Sequence, residues 1–335
     1  MNPFKSSKIL CHPDRMSNFV KGERVMPVLY EFDLTNRCNH RCIDCIGWAT
    51  GEMDRVEIST YLALNIIREI SFAGGKAVTF TGGGEPTLHP DFVRILESAK
   101  KYHLDIGLMT NGSKINKNLA SFLAETCSWV RISLDAWDDE SFSVTHRVSG
   151  FDKICEGIKI LSSFRERCTV GVGFLTNAYT SNGMFKATKL VKELGADYIQ
   201  FRPYHNDPTS VLNTIIYCRN YCEDKNFKVL CNEDKYKQIH EGVDDRGYDK
   251  CYANTFVGII TADANMYPCC HLRGIKKYIY GSLNKNGILE ILNSENRDKV
   301  DATLDFTYCP RLCKLDHYNK ILVGIANPPD HVNFL

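Results

Sequence analysis

The sequence predicts an α/β protein built on a parallel sheet, and three observations lead to this fold class. Short apolar segments typical of strands alternate with segments of helical apolar spacing over residues 28–203. The strand-like segments recur at intervals of about 25–40 residues, as expected for parallel strands joined by right-handed helical crossovers. Polar residues stand where these strands end. This pattern fits either an open doubly wound sheet or a partial α/β barrel.

Six strands are predicted in this region, with helix-patterned segments between them. The strands cover 28–34, 76–82, 106–112, 129–135, 169–177 and 197–203. Gly74 and Gly195 follow two of the helices, as glycine often does at a helix C-terminus. The glycine fingerprint of a dinucleotide-binding fold is missing after the first strand, where cysteines stand instead.

The change of pattern along the chain divides it into five parts. An N-terminal extension (1–25) precedes the strand–helix alternation (26–205). A connecting helix, a short strand and a charged linker follow (206–250). A small cysteine-bearing module with two short strands covers 251–320, and a tail covers 321–335.

Composition and charge restrict the possible functions. The 335 residues carry a net charge of +1, which predicts no basic face that would hold a nucleic-acid backbone. No apolar run approaches the roughly 18 residues needed to cross a membrane. The N-terminus lacks the apolar stretch of a secretory signal, so the 15 cysteines favour metal-binding thiolates in a reducing, cytoplasmic compartment over disulfides.

Three cysteines follow the first predicted strand, as Cys38, Cys42 and Cys45. Their CxxxCxxC spacing suits a [4Fe–4S] cluster with three protein ligands and one open iron. A structural zinc site is the alternative, but such a site normally needs four ligands. His40 is not expected to share a metal with its immediate neighbours.

The second predicted strand ends in a glycine-rich turn that contains Gly83, Gly84 and Glu85. Glycine lets the backbone approach a ligand closely, and the ends of parallel strands are where barrel active sites are built. A simple turn is the alternative explanation. A catalytic site is favoured because the later strands also end in polar residues, namely Asn111, Ser133, Asp135, Asn177 and Arg202.

The order of these motifs resembles the radical S-adenosylmethionine (SAM) superfamily over roughly residues 26–205. The resemblance implies a partial (β/α)6 TIM barrel in which Cys38, Cys42 and Cys45 hold a [4Fe–4S] cluster, whose open iron binds SAM. It also implies a reducing partner such as flavodoxin or ferredoxin. Reductive cleavage of SAM would then give a 5′-deoxyadenosyl radical that abstracts hydrogen from the substrate.

The resemblance assigns SAM-binding roles to residues at the strand ends. Glu85, with the backbone of Gly83 and Gly84, would bind the methionyl amino group. Ser133 and Asp135 would contact the ribose or the carboxylate of SAM.

Three further positions bear on the same cofactor site. Arg147 would pair with the methionyl carboxylate, with a surface salt bridge as the alternative, and Asn177 would also bind SAM. Asp44 departs from the family pattern, in which the residue before the third cysteine is usually aromatic and lies near adenine. Trp48 is a candidate for the missing stacking contact.

A second group of cysteines, Cys251, Cys269, Cys309 and Cys313, lies in the C-terminal module. Four thiolates can ligate a second [4Fe–4S] cluster completely. The arrangement resembles the twitch form of the SPASM extension, which carries one auxiliary cluster. The chain departs from that form in having three residues between Cys309 and Cys313 and an extra Cys270. Zinc held by four cysteines is the alternative.

The expected reaction depends on this auxiliary cluster. With no open coordination position, the cluster favours electron transfer. The chain also resembles twitch-bearing enzymes of cyclitol and aminoglycoside metabolism, so we expect dehydrogenation of a secondary alcohol on a sugar, cyclitol or nucleoside-like small molecule. Candidate catalytic residues at the barrel mouth are Arg202, Tyr204 and His205, with Asn111 and Trp137 beside them.

Three alternative functions stay open. In an epimerase, Cys270 would return a hydrogen atom to the substrate radical; this residue could instead replace Cys269 on the cluster. A peptide-modifying enzyme is disfavoured, because a first strand near residue 28 leaves no room for a leader-binding domain. A non-catalytic iron–sulfur or zinc protein would not need the glycine-rich turn or the polar strand ends.

Overall fold

One ten-stranded sheet organises the computed structural model, which describes residues 6–45, 56–164, 168–204, 207–241, 246–309 and 313–334. The strands are β1 (Leu29–Asp33), β2 (Ala77–Thr81), β3 (Asp105–Thr110), β4 (Trp129–Ser133), β5 (Thr169–Thr176), β6 (Tyr198–Pro203), β7 (Lys228–Leu230), β8 (Val257–Ile260), β9 (Asn265–Tyr267) and β10 (Gly281–Ser282). Their order across the sheet is β10-β9-β8-β1-β2-β3-β4-β5-β6-β7.

Twelve α-helices are described, and those between Thr60 and Cys222 connect the successive parallel strands β1 to β7. The twelve are α1 (Pro13–Val20), α2 (Thr60–Phe72), α3 (Phe92–Lys101), α4 (Lys117–Thr126), α5 (Asp139–His146), α6 (Phe151–Ser162), α7 (Met184–Glu193), α8 (Leu212–Cys222), α9 (Glu233–Glu241), α10 (Ile288–Leu292), α11 (Glu295–Ala302) and α12 (Asp316–Ala326). All six predicted barrel strands form within two residues of their expected bounds. The barrel is partial, since β7 and β10 are the two edges of the sheet.

Strand β1 shows how the barrel separates an apolar face from a polar one. Tyr30 and Phe32 are fully buried, and the ring of Phe32 lies 6.1 Å from that of Phe80 on β2. Glu31 and Asp33 project to the opposite face and line a cavity, because side chains alternate along a strand. Two acidic residues are thereby placed inside the barrel.

The C-terminal module continues the barrel sheet. Strand β8 pairs in parallel with β1, and β9 then folds back antiparallel to β8 around a turn in which Ala264 has φ 63°. The side chain of Arg297 on α11 donates to the backbone oxygens of Leu292 and Val25, at 3.0 and 2.9 Å. The module is therefore bonded to the barrel at both its sheet and its helices.

The structure corrects the prediction of a charged linker within residues 206–250. Helix α9 occupies part of that segment, and its Tyr236 is buried. The hydroxyls of Tyr236 and Thr176 lie 2.9 Å apart, which ties the helix to the end of β5. The charged residues of the segment concealed this one inward-facing aromatic side chain.

In the described parts of the chain, no helix combines the length and the apolar character that a membrane span requires.

Candidate active site

A cavity of about 1900 Å³ lies at the carboxyl ends of the parallel strands. Its wall combines the cysteine loop that follows β1, the ends of β2 to β6, and residues of the C-terminal module. The sequence-predicted residues in this wall are Cys38, Cys42, Cys45, Gly83, Gly84, Glu85, Asn111, Ser133, Asp135, Arg202, Tyr204, Cys270 and Cys309. The topology thus brings the predicted strand-end residues and the first cysteine group to one place.

The first three cysteines lie close enough to influence one another's ionisation. Burial, and then the neighbouring charges, raise the pKa of Cys42, and Cys38 and Cys45 both contribute. The backbone N–H of His40 donates to the Cys38 sulfur at 3.4 Å. Three adjacent half-buried thiolates would need a cation to be stable, and sulfur is the ligand that iron–sulfur clusters use. This donor set fits a [4Fe–4S] cluster.

His40 lies close to Cys42 and to His146, and their potential ligand atoms are all within 4.8 Å of one another, a grouping that the sequence did not predict. His40 Nδ1 and Cys42 Sγ lie 3.3 and 3.2 Å from Nδ1 of His146 on α5. Nε2 of His146 donates to the backbone oxygen of Leu134 at 2.7 Å, which leaves its Nδ1 as an acceptor. Burial lowers the pKa of both histidines to about 4, so both rings are neutral at pH 7.

The glycine-rich turn packs directly against the cysteine loop. A Cβ on Gly84 would lie 2.2 Å from the backbone oxygen of Arg37, and one on Gly83 would lie 2.2 Å from the side-chain oxygen of Asn36. The Glu85 N–H donates to the same Arg37 oxygen at 2.8 Å. The glycines therefore let the turn support the loop that carries the cysteines.

The Glu85 carboxylate is buried and already accepts hydrogen bonds on both oxygens. Oε1 accepts from the Thr110 and Thr87 hydroxyls, each at 2.6 Å, and from the Thr87 N–H at 3.2 Å. Oε2 accepts from the Asn111 N–H at 2.7 Å. Burial raises the pKa of Glu85, and these bonds oppose that rise. A carboxylate oxygen has room for another donor, so Oε2 can also face a ligand.

The end of β4 supplies a second buried acid. Asp135 has a left-handed φ of 44°, and its Oδ1 accepts from the Leu175 N–H at 2.5 Å. Burial raises the pKa of Asp135 to about 6, while Arg202 and Arg131 act in the opposite direction. The carboxylate is therefore ionised at neutral pH and can accept a hydroxyl hydrogen bond.

Two of the predicted SAM-binding residues take other positions. The Asn177 side chain donates to Asp44 Oδ2 at 2.8 Å, and Asp44, not Asn177, belongs to the cavity wall. Arg147 is exposed at the C-terminus of α5 with a left-handed φ of 54°, outside the described wall of the cavity. Trp48 and His205 lie outside the described residues.

The auxiliary cysteines form a second group of mutually interacting thiols. Burial raises the pKa of Cys269 to about 12, and Cys313, Cys309 and Cys251 add to this effect. Asn319 Nδ2 donates to the Cys251 sulfur at 3.3 Å. The Leu315 N–H donates to the Cys313 sulfur, also at 3.3 Å. Buried thiols with hydrogen-bond donors at sulfur fit a cluster.

The auxiliary thiols do not stand in a preassembled zinc tetrahedron. Among the described residues, three or more potential ligand atoms approach within 4.8 Å of one another only at His40, Cys42 and His146. A zinc tetrahedron with 2.3 Å bonds places its sulfurs roughly 3.8 Å apart. No three of the four auxiliary thiols come within 4.8 Å of one another, and all the chain's cysteines are free of disulfides.

Cys270 lies beside the auxiliary group but lines the large cavity, whereas Cys269 does not. Burial raises the pKa of Cys270 to about 12, so it carries its proton at neutral pH.

Trp137, which was expected at the barrel mouth, is outside the described cavity wall, and its ring lies 5.6 Å from the Tyr179 ring.

Sequence reasoning missed the charged side chains inside the barrel. Arg273 from the module lies 3.3 Å from both Glu31 and Asp33, and Lys314 also pairs with Glu31. Arg131 projects inward from β4. Charged residues at alternate positions of a predicted barrel strand were the available signal, because such positions face the barrel interior.

Comparison with family models decides the identity of the chain. A model of the radical SAM superfamily matches residues 32–179, and a model of the SPASM iron–sulfur cluster-binding domain matches residues 251–315. This chain is a radical SAM enzyme with a SPASM domain. Radical SAM domains bind a [4Fe–4S] cluster and SAM, and SPASM domains bind additional iron–sulfur clusters, so the cofactors predicted from the sequence are confirmed.

Two curated relatives differ in how much of the enzyme they match. Mycofactocin maturase MftC of Mycobacterium ulcerans is 37% identical over 110 residues, which cover 32% of this chain and 29% of that protein. The AdoMet-dependent heme synthase of Methanosarcina barkeri is 23% identical over 331 residues, which cover 89% of this chain and 90% of that protein. The chain thus matches less than a third of the maturase's own length.

Solved structures share the fold at low sequence identity. Streptococcus suis SuiB bound to S-adenosylmethionine has a TM-score of 0.65 at 14% identity, covering 86% of this chain and 69% of that chain. Native anSMEcpe with bound AdoMet has a TM-score of 0.63 at 16% identity, covering 90% and 99%.

Proposed function

We propose that this radical SAM enzyme oxidises a secondary alcohol of a sugar, cyclitol or nucleoside-like substrate to a ketone. The observation that carries the proposal is that both cysteine groups reach one cavity. Cys38, Cys42 and Cys45 line it on the barrel side, and Cys309 lines it on the module side. A substrate in the cavity would lie between the two cluster sites.

The clusters would be held by the cysteines that the structure brings together. The first three would hold the cluster that binds SAM, and the auxiliary four would hold the other. When bound, these groups and SAM would supply a 5′-deoxyadenosyl radical and an acceptor for a second electron. In the net reaction the carbinol carbon loses a hydrogen atom, its hydroxyl loses a proton, and one further electron leaves, so that a carbonyl remains.

The chain's polar groups at the strand ends would orient SAM. Glu85 Oε2 would accept from the methionyl ammonium, since a buried carboxylate favours a charged donor. Asp135 and Ser133 would contact the ribose hydroxyls or the methionyl carboxylate. The Asn177 amide would affect SAM binding only indirectly, through its hydrogen bond to the Asp44 carboxylate.

Turnover in heavy water tests the proposed oxidation. The reduced, reconstituted enzyme would be given SAM and a panel of cyclitols, sugars and nucleosides, and the products analysed by mass spectrometry. Dehydrogenation gives a product lighter by two hydrogens, with no solvent deuterium at the attacked carbon. One incorporated deuterium, abolished by Cys270→Ala but not by the exposed control Cys11→Ala, would contradict it and identify an epimerase.

Peptide modification is the second candidate, and the size of the cavity favours it. About 1900 Å³ exceeds the ~300–1000 Å³ of typical small-molecule pockets. One structural neighbour, SuiB, was solved bound to its precursor peptide SuiA, with a TM-score of 0.67 at 15% identity. Mass changes in a peptide encoded beside this enzyme, with no turnover of the small-molecule panel, would select this candidate.

A further inference from the structure

The inner surface of the barrel contains two arginines that no described acid neutralises directly. Arg131 on β4 is 8% exposed, and Arg202 stands two positions before Tyr204 at the end of β6. Within the described residues, no carboxylate forms a salt bridge with either guanidinium, and the buried Nε of Arg202 has no hydrogen-bond partner. A buried cation without an ion pair is costly, and here the half-buried Arg202 stands beside the buried Arg131.

Glycines on β5 create the space in which the two side chains meet. Gly173 pairs with Ser133 on one side and with Gln200 on the other. A Cβ on Gly173 would lie 3.3 Å from Arg202 Nη2 and 3.5 Å from Arg131 Cδ. The sequence of β5, with glycine at alternate positions, therefore leaves room for two large inward-facing cations from its neighbours.

The existing contacts of Arg131 hold its position but do not balance its charge. Its Nη1 donates to the Gln200 side-chain oxygen at 2.6 Å, and its Nη2 lies 3.0 Å from the Met109 sulfur. Both partners are neutral. Burial and the adjacent Arg202 lower the pKa of Arg131 to about 9, so Arg131 stays charged at neutral pH in an environment that an anion would stabilise. Asp135 interacts electrostatically with both arginines, but it lies too far from either guanidinium to form an ion pair.

The register of the sheet places the two arginines on either side of the Ser133 level, with Arg202 nearer the carboxyl ends of the strands because it pairs with Leu175. Arg131 precedes Ser133 by one inward-facing position on β4, so it lies deeper in the barrel. On the opposite side of the barrel, Glu31 and Asp33 are already paired with Arg273 and Lys314. Among the described inward-facing residues of the barrel strands, the positive charges without an ion pair are therefore those of Arg131 and Arg202.

We propose that Arg131 and Arg202 form a binding site for a carboxylate of the substrate. A planar guanidinium can donate two parallel hydrogen bonds to a carboxylate, and two guanidinium groups can together donate to both of its oxygens. The site would anchor the anionic end of the substrate on the β4 and β6 side of the cavity, with the carbon to be attacked held toward the SAM site. This inference rests on the proposed function and adds a negative charge to the expected substrate.

Ligand binding to the unreduced, anaerobically reconstituted enzyme tests the site without any turnover. Succinate, its neutral dimethyl ester and inorganic phosphate serve as probes, and thermal shifts at increasing concentration report their affinities. We expect succinate to bind, the ester not to bind, and Arg202→Gln to weaken succinate roughly tenfold to a hundredfold. Arg68→Gln, an equal charge change at an exposed position on α2, should leave succinate binding unchanged.

Arg202 is the first choice for substitution, because its guanidinium makes no described hydrogen bond that the fold would lose. Arg131→Lys keeps the positive charge but loses the two parallel N–H donors of the guanidinium. It should therefore weaken succinate binding less than Arg131→Gln does. Iron content and circular dichroism establish that each variant is folded. Succinate affinity unchanged in Arg202→Gln, or binding of phosphate in preference to succinate, would overturn the proposal.

The two arginines could instead bind the methionyl carboxylate of SAM. A SAM titration distinguishes this ligand from a substrate carboxylate. A substrate site predicts that SAM and succinate bind together and that SAM affinity falls less than succinate affinity in Arg202→Gln. Displacement of succinate by SAM, with an equal loss of both affinities, would assign the arginines to SAM and overturn the substrate site. The absence of 5′-deoxyadenosine on reduction would instead contradict the proposed enzyme activity, whatever the outcome of these titrations.

Discussion

Gly84 shows how a single residue links a family motif to the packing of the site. Its missing side chain permits contact between the glycine-rich turn and the backbone of Arg37. Arg37 immediately precedes Cys38, so the turn fixes where the cysteine loop begins. The motif thus supports the first cluster site in addition to its expected contact with SAM.

Gly84→Ala should therefore disrupt the first cluster site. The new Cβ would lie 2.2 Å from a backbone oxygen, which only a shift of the loop can relieve. We expect iron in the reconstituted protein to fall from about eight toward about four per chain, as the first cluster is lost. Gly324→Ala on α12, where nothing lies within 4 Å of the added Cβ, is the control. Full iron loading in Gly84→Ala would show that the loop does not depend on this contact.

The pairing of β8 with β1 is the element on which the relation of module and barrel depends. Because β1 also carries Glu31 and Asp33, the two acids lie beside the module that supplies Arg273 and Lys314. Helix α11 adds a second connection, through the hydrogen bond from Arg297 to the backbone oxygen of Val25, whereas the bond from Arg297 to Leu292 lies within the module.

Arg297→Ala should destabilise the enzyme by roughly 2–4 kcal/mol, because it leaves two backbone carbonyls without their buried charged donor. Lys299 on the same helix is the matched control. Its side chain is 73% exposed and pairs only with the exposed Glu295, so Lys299→Ala should change stability by less than about 0.5 kcal/mol. Urea unfolding of the reconstituted protein gives both values. Equal stability of the two variants would contradict the connection through α11.

The sequence predicted these elements unevenly, for physical reasons. Apolar periodicity is local, so the six barrel strands could be placed to within two residues. The pairing of β8 with β1 joins segments more than 220 residues apart, and no local pattern encodes it. Helix α9 was missed because one buried tyrosine, Tyr236, lies among charged neighbours.

The same distinction applies to the site. Residues at strand ends, such as Glu85 and Asp135, could be predicted because topology alone brings them together. Arg147 could not be placed, because its position follows from the left-handed end of α5. Arg131 was missed because its importance depends on the space above Gly173 on a neighbouring strand.

At the scale of the whole molecule, one cavity is lined by Cys38, Cys42 and Cys45 of the first cysteine group and by Cys309 of the second. One group follows β1. The other consists of Cys251, Cys269, Cys309 and Cys313 of the C-terminal module. The parallel sheet that joins them fixes their relative position. We propose that the clusters held by the two cysteine groups serve one substrate site in this enzyme.

The most direct test is the formation of 5′-deoxyadenosine when the anaerobically reconstituted protein, loaded with about eight irons, is reduced in the presence of SAM. We predict that the intact enzyme forms it. The variant with Cys38, Cys42 and Cys45 all changed to alanine should form none while retaining about four irons in the module. Absence of 5′-deoxyadenosine from fully loaded, reduced enzyme would contradict the account.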